Sequence, residues 1–298
     1  MKSINRNLTF LAVAMLTLML GTASVSVFGQ EDAKGKAMAD KAGHKSENKE
    51  HGFCTSNNWS NVDRVSFNEL REMTVVSTGS LNVDGRQNGG VSVKGEDRSD
   101  VLIRACVQAW GKTDDIAKSL AANVRIGTAG SVKAENSDSD NNWSVSYEIR
   151  VPRSTNLNLT AHNGGVSIIN VDGTAEFETQ NGGVFLSNVS GSYKGRTMNG
   201  GVSVKLTGTS WKGSGLDVTT TNGGVNIEMP ANYAAHVETG TVNGGFSSDI
   251  PGLAIDKNTS NDHRRATRLS TDINGGGAPI RVITTNGGVR IGTGSEKE

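Results

Sequence analysis

Cysteine, proline and aromatic residues are all scarce in this chain of 298 residues, which holds 2 Cys, 4 Pro and only 5% Phe, Trp and Tyr together. Two cysteines with no histidine at ligand spacing argue against a metal site, and so few Trp and Tyr leave few platforms for stacking sugar rings. Charge of one sign is missing too, since 30 Lys and Arg face 30 Asp and Glu. A nucleic-acid partner needs a concentrated basic face, so that class is set aside. Beyond the first 20 residues no apolar run is long enough to cross a membrane. What the chain has in excess is glycine, 38 residues without a collagen period, which suits many turns and a thin, repetitive core.

The N-terminus reads as a signal peptide. Lys2 and Arg6 precede an apolar stretch from Leu8 to Leu20, with cleavage expected after Gly29 and Val27 at the −3 position. Residues 30–52 read as a charged, disordered spacer, with a short amphipathic helix through Ala33, Ala37 and Ala42 as the alternative. Cleavage would leave 28 bases and 30 acids, and no membrane-integral segment. In an exported chain Cys54 and Cys106 are expected to pair.

The organising signal is the triplet Asn-Gly-Gly, which occurs eight times, beginning at Asn88, Asn163, Asn181, Asn199, Asn222, Asn243, Asn274 and Asn286. Six of the eight are followed by Val. A turn signal leading into a strand former, repeated along the chain, marks stacked copies of one supersecondary unit. At an offset of 18 residues Val166, Val184 and Val202 align, as do Thr179 and Thr197. In a β-solenoid the triplet is a corner between parallel strands; in a meander Asn-Gly is a two-residue hairpin turn. The long register favours stacked rungs, whose Asn side chains could hydrogen-bond along the axis. The turn residues proper are then Asn163, Gly164, Gly165, Asn181, Gly182, Gly183, Asn199, Gly200, Gly201, Asn222, Gly223, Gly224 and the remaining asparagines. The 12-residue step from Asn274 to Asn286 suggests a truncated terminal rung.

The expected fold is therefore mainly β. Residues 53–155 form an N-terminal β-rich part, and residues 156–298 a β-solenoid of imperfect Asn-Gly-Gly rungs. Within the first part Thr113-Asp114-Asp115 opens a short helix near 114–122, with Ile116, Leu120 and Ala117 on its buried face. This cap is expected to cover one end of the stack, because an open sheet edge invites association.

The stretches Val101–Trp110, Trp143–Tyr147, His162–Ser167, Thr219–Val225 and Gly276–Ile280, with the final Thr285–Val289, resemble a bacterial family of exported domains of unknown function that carries an adhesin label. The resemblance spans roughly residues 65–292. It implies a solenoid-type β-protein and supplies no catalytic residues.

Motifs that carry chemistry are few. His44, His51, His162, His236 and His263 show no zinc spacing, and no nucleophile elbow or phosphate loop is present. Asp138, Asp140 and Asn142 begin like a calcium loop, but Trp143 and Ile149 stand where its Gly and closing Glu belong. Asp172, Glu176, Glu178 and Asp217 do not recur at one rung position, as a polysaccharide-cleaving groove would need. His263, Arg264, Arg265 and Arg268 concentrate charge on one excursion and mark a partner loop. The expected role is a non-enzymatic envelope or cell-surface scaffold without cofactor, adhesin-like, meeting an unidentified protein or polysaccharide at the cell envelope. Two alternatives stay open: a carbohydrate-active enzyme on the same scaffold, and a periplasmic partner in envelope-stress signalling.

Overall fold

Alternation of buried and exposed residues along short Val-, Ile- and Thr-rich segments builds two facing sheets, each with one side against a shared core. The computed structural model describes residues 52–55, 64–137, 141–250, 252–253 and 267–294. The expected signal peptide, nearly all of the spacer, and His263, Arg264 and Arg265 lie outside them. The described residues fall in one compact unit, Lys49–Glu298.

One ten-stranded sheet, here sheet A, runs in the spatial order β1 (Val65–Val76), β4 (Asp100–Gly111), β7 (Trp143–Pro152), β3 (Val91–Glu96), β9 (Val166–Ile169), β11 (Val184–Ser187), β13 (Val202–Lys205), β15 (Val225–Met229), β20 (Val289–Thr293) and β17 (Phe246–Ser248). Sheet B runs β18 (Thr267–Ile273), β16 (Ala235–Asn243), β19 (Pro279–Asn286), β14 (Gly215–Asn222), β12 (Ser190–Asn199), β10 (Asp172–Thr179), β8 (Asn156–Ala161), β2 (Ser80–Asp84), β6 (Val132–Asn136) and β5 (Val124–Gly127). From β3 to β17 and from β2 to β16 all pairings are parallel. The chain therefore shuttles between the sheets, laying down one strand of each per circuit. Both sheets are open.

The core is a set of rows, one residue from each strand. In sheet A Val91, Val166, Val184, Val202, Val225 and Val289 are cross-strand partners, each 2% exposed or less. Sheet B is less uniform and compensates across neighbours. Ala175 of β10 sits beside Tyr193 of β12, and Phe177 beside Gly195. A Cβ on Gly195 would stand 2.0 Å from the Phe177 ring, so the missing side chain is the space the ring occupies.

Antiparallel strands terminate both sheets at the first end and sheet B at the far end, while sheet A ends in the parallel β17. The antiparallel strands β1, β4 and β7 extend sheet A, the β5–β6 pair extends sheet B, and β18 closes the far edge of sheet B against β16. The helix α1 (Asp114–Asn123) lies at the first of these ends, capped by the Thr113 hydroxyl accepting from the Ile116 N–H. Its buried face is Ala117, Leu120 and Ala121; Ile116, expected inside, is 46% exposed. With Ala at positions 117 and 121, the helix lies close to the sheet and Ile116 falls beside the contact.

Spatial order departs from sequence order at the C-terminal end. The strands β19 and β20 do not follow β16 and β17 as a truncated last layer. They slot between β14/β15 on one side and β16/β17 on the other. Because β18 turns back antiparallel on the outer edge of β16, the chain returns to a gap on the inner edge.

Candidate functional site

Seven of the eight triplet asparagines form one line. Each side-chain amide donates to the next oxygen: Asn163 to Asn88 at 2.9 Å, Asn181 to Asn163 at 2.8 Å, Asn199 to Asn181 at 2.7 Å and Asn222 to Asn199 at 2.8 Å. Asn286 then donates to Asn222 and Asn243 to Asn286, both at 2.7 Å. Asn274 stands apart. Its φ is 48°, and its amide donates to the Ala231 and Tyr233 carbonyls.

The glycines of these corners are required for a reason other than the one composition suggests. Of the fourteen in the line only Gly287, at 159°, has a positive φ short of the extended limit, and that is close to extended backbone. The constraint is close approach: a Cβ on Gly164 would stand 2.3 Å from the Gly89 carbonyl oxygen, on Gly182 2.2 Å from that of Gly164, and on Gly200 2.1 Å from that of Gly182. Carbonyls of these first glycines also accept hydrogen bonds from buried hydroxyls, Thr179 to Gly164 at 2.6 Å, then Thr197 to Gly182 and Thr220 to Gly200 at 2.7 Å. A second, shorter ladder at the opposite corner joins Asn188 to Asn170 at 2.8 Å. Both residues have positive φ, a conformation asparagine tolerates.

The second glycine of each corner leaves a flat margin beside the outer face of sheet A. There a groove of about 950 Å³ runs across the strands. By register its floor is the row Ser92, Ser167, Phe185, Ser203 and Asn226. Phe185 is 39% exposed in the middle of it. Arg290 stands at one end and Phe53 at the other. The disulfide Cys54–Cys106 fixes Phe53 there, because Cys106 is buried on the outer side of β4. The Arg104 guanidinium lies 5.5 Å from the Phe53 ring centroid. Its hydrogen bond to Glu72, with help from Glu148, outweighs partial burial and holds it above its ordinary pKa.

The outer face of sheet B is charged instead. By register Glu176, Lys194, Asp217, Arg281 and Glu238 alternate in sign along one row. Arg196 pairs with Glu178 at 2.7 Å, and Arg281 bridges Asp217 and Glu238. Sequence reasoning took these acids singly; strand register brings them together with bases. Register also brings His236 to partners that its spacing in sequence does not announce: its Nδ1 is 2.7 Å from Asp272 Oδ1 and its Nε2 is 3.1 Å from Ser270 Oγ. Ser, His and Asp stand in the order of a nucleophilic triad, but Glu238 lies 3.6 Å from the same Nε2. These side chains tie β18 to β16. Arg268, the described member of the expected partner loop, lies opposite Gly240 in the same strand pair. His162 sits at a corner, its carbonyl accepting from the Asn181 N–H.

Among the described residues no helix is long and apolar enough to span a membrane. A family model described as Toastrack DUF4097 matches residues 72–292. Two crystal structures are similar. One, named as a candidate cell adhesion protein from Clostridium sporogenes, has 9% identity and a TM-score of 0.39, covering 76% of this chain and 100% of its own. The other, named as a candidate adhesin from Bacteroides fragilis, has 11% identity and a TM-score of 0.34, covering 76% of this chain and 97% of its own. No curated protein matches the chain.

Proposed function

Because the chain belongs to the Toastrack DUF4097 family, a β-solenoid-like fold, we propose that its Asn-Gly-Gly triplets are the corners of imperfect solenoid rungs and that the stack is a binding scaffold. The scaffold is exported, non-enzymatic and adhesin-like, and its working surface is the outer face of sheet A. The observation that carries this reading is the contrast between the two outer faces. Sheet B alternates charge along its central row from β10 to β16, whereas the row of sheet A from β3 to β15 is uncharged and carries the exposed Phe185 at its centre; the ion pairs of Arg104 with Glu72 and Glu148, and of Arg150 with Glu96, gather at the β1–β4–β7–β3 end of sheet A. An exposed aromatic in an otherwise small, polar row is expensive to leave in water and is the kind of residue that anchors contacts. The Cys54–Cys106 disulfide supports an oxidising compartment, in keeping with the signal-like N-terminus.

The test is sedimentation of the labelled mature protein with bacterial envelope fragments. Phe185→Glu is expected to cut binding at least tenfold, while Glu176→Ala with Lys194→Ala on the opposite face leaves it unchanged. The reverse pattern would move the working surface to sheet B and reopen the enzymatic alternative.

A further inference from the structure

Five successive strands contribute one residue each to the groove floor, and none of the five is charged. Glu148 and Arg290 bound the row on either side. With strands about 4.8 Å apart, the uncharged stretch is about 19 Å long. Three serine hydroxyls and one amide offer donors and acceptors at that regular spacing, and Phe185 offers an apolar ring among them. The second glycines of the corners keep one margin of the groove free of side chains.

We infer that this groove takes an extended, neutral, β-linked polysaccharide. The inference rests on the binding-face reading above and names its ligand. Three properties select the class. The floor row lacks the cations an anionic polymer would need, and Arg290, the cation that lines one end, is paired with Asp249 at 3.4 Å. The strands β3, β9, β11, β13 and β15 are each paired on both sides, so a peptide lying across them finds no backbone edge to join. A pyranose chain instead carries hydroxyls for Ser92, Ser167 and Ser203 and apolar ring faces for Phe185. Its advance per residue, when extended, is comparable with the strand spacing, so each sugar can sit over one rung, with neighbouring sugars turned to present different faces. The scarcity of Trp and Tyr does not oppose this, because Phe185 and Phe53 supply the rings, at the middle and one end.

The experiment uses the mature, disulfide-intact protein. Calorimetry with cellohexaose and xylohexaose is combined with affinity electrophoresis in gels containing hydroxyethyl cellulose or alginate. Binding to a neutral hexasaccharide and retardation by hydroxyethyl cellulose but not alginate are expected. Phe185→Ala should weaken hexasaccharide binding at least tenfold, and Ser167→Asp with Ser203→Asp should abolish it, with unchanged circular dichroism in both variants. Hexasaccharide binding that survives Phe185→Ala overturns the assigned site. Absence of binding to every neutral probe, while Phe185→Glu still abolishes envelope binding, overturns the glycan and leaves the face standing. Envelope binding indifferent to Phe185→Glu overturns both.

Discussion

Replacing Gly182 and Gly183 separately by alanine separates steric necessity from sequence habit. A Cβ on residue 182 would stand 2.2 Å from the Gly164 carbonyl oxygen, about 1 Å inside ordinary contact. Relief requires the two layers to part at this corner, where they are joined by several hydrogen bonds. Asn181 N donates to His162 O at 2.7 Å, the Asn181 amide to Asn163 Oδ1 at 2.8 Å, and Thr179 Oγ1 to Gly164 O at 2.6 Å. At about 1 kcal/mol net per bond, loss of these three costs about 3 kcal/mol. Residual overpacking adds about 1–2 kcal/mol, so Gly182→Ala should destabilise by about 4–5 kcal/mol. A Cβ on residue 183 meets only the Gly201 oxygen at 3.3 Å. Small adjustment suffices there, and the stiffer unfolded chain offsets part of it, so Gly183→Ala should change stability by less than about 1 kcal/mol. Guanidinium unfolding of the disulfide-intact chain, followed by circular dichroism, reads both as midpoint shifts. Equal shifts for the two variants, or none for Gly182→Ala, would refute the close-approach argument.

Two further expectations follow from buried polar groups. The chain has three tyrosines, Tyr147, Tyr193 and Tyr233, and all are buried. Burial pushes the first two phenols well above their usual range, with smaller help from Asp84 and Asp172, and pushes Tyr233 up to about 12. A folded pKa above the unfolded value means that this stability is complete below pH 10 and is lost as pH rises beyond it. Absorbance at 295 nm should therefore show no phenolate between pH 10 and 11 in the folded protein, and then a rise coincident with unfolding; an early, reversible rise would contradict the burial. At Thr197, whose hydroxyl donates to Gly182 O, Thr197→Val should cost about 1–2 kcal/mol and Thr197→Ser less, measured by the same unfolding midpoint.

The elements with local causes were legible. The helix start at Thr113 and the strand-forming triads after each triplet follow from capping and β-propensity within a few residues. The Thr179–Thr197 alignment was visible at offset 18, but its chemistry was not, because the accepting carbonyl belongs to the preceding layer, 15 residues back. Asn170 and Asn188 share that same offset and were passed over, since no glycine follows them to announce a corner. The order of the last layers could not be read at all. In sheet A the strands from β3 to β20 offer one another the same inward valine, so periodicity there is indifferent to which strand lies next to which. The groove was hidden for a related reason: Ser92, Ser167, Phe185, Ser203 and Asn226 are scattered over 135 residues and become one row only through register.

The insertion of β19 and β20 between earlier strands bears on how the molecule assembles. Layers up to β14 and β15 can be added one after another as the chain emerges, each templated by the one before. The next two strands, β16 and β17, take their parallel partners only from β19 and β20, made some forty residues later. Growth is sequential and then interrupted: β16 must wait, sheltered by the antiparallel β18, until the final segment threads into place. A chain captured or cut before residue 279 would hold an unfinished end rather than a shorter version of the finished stack.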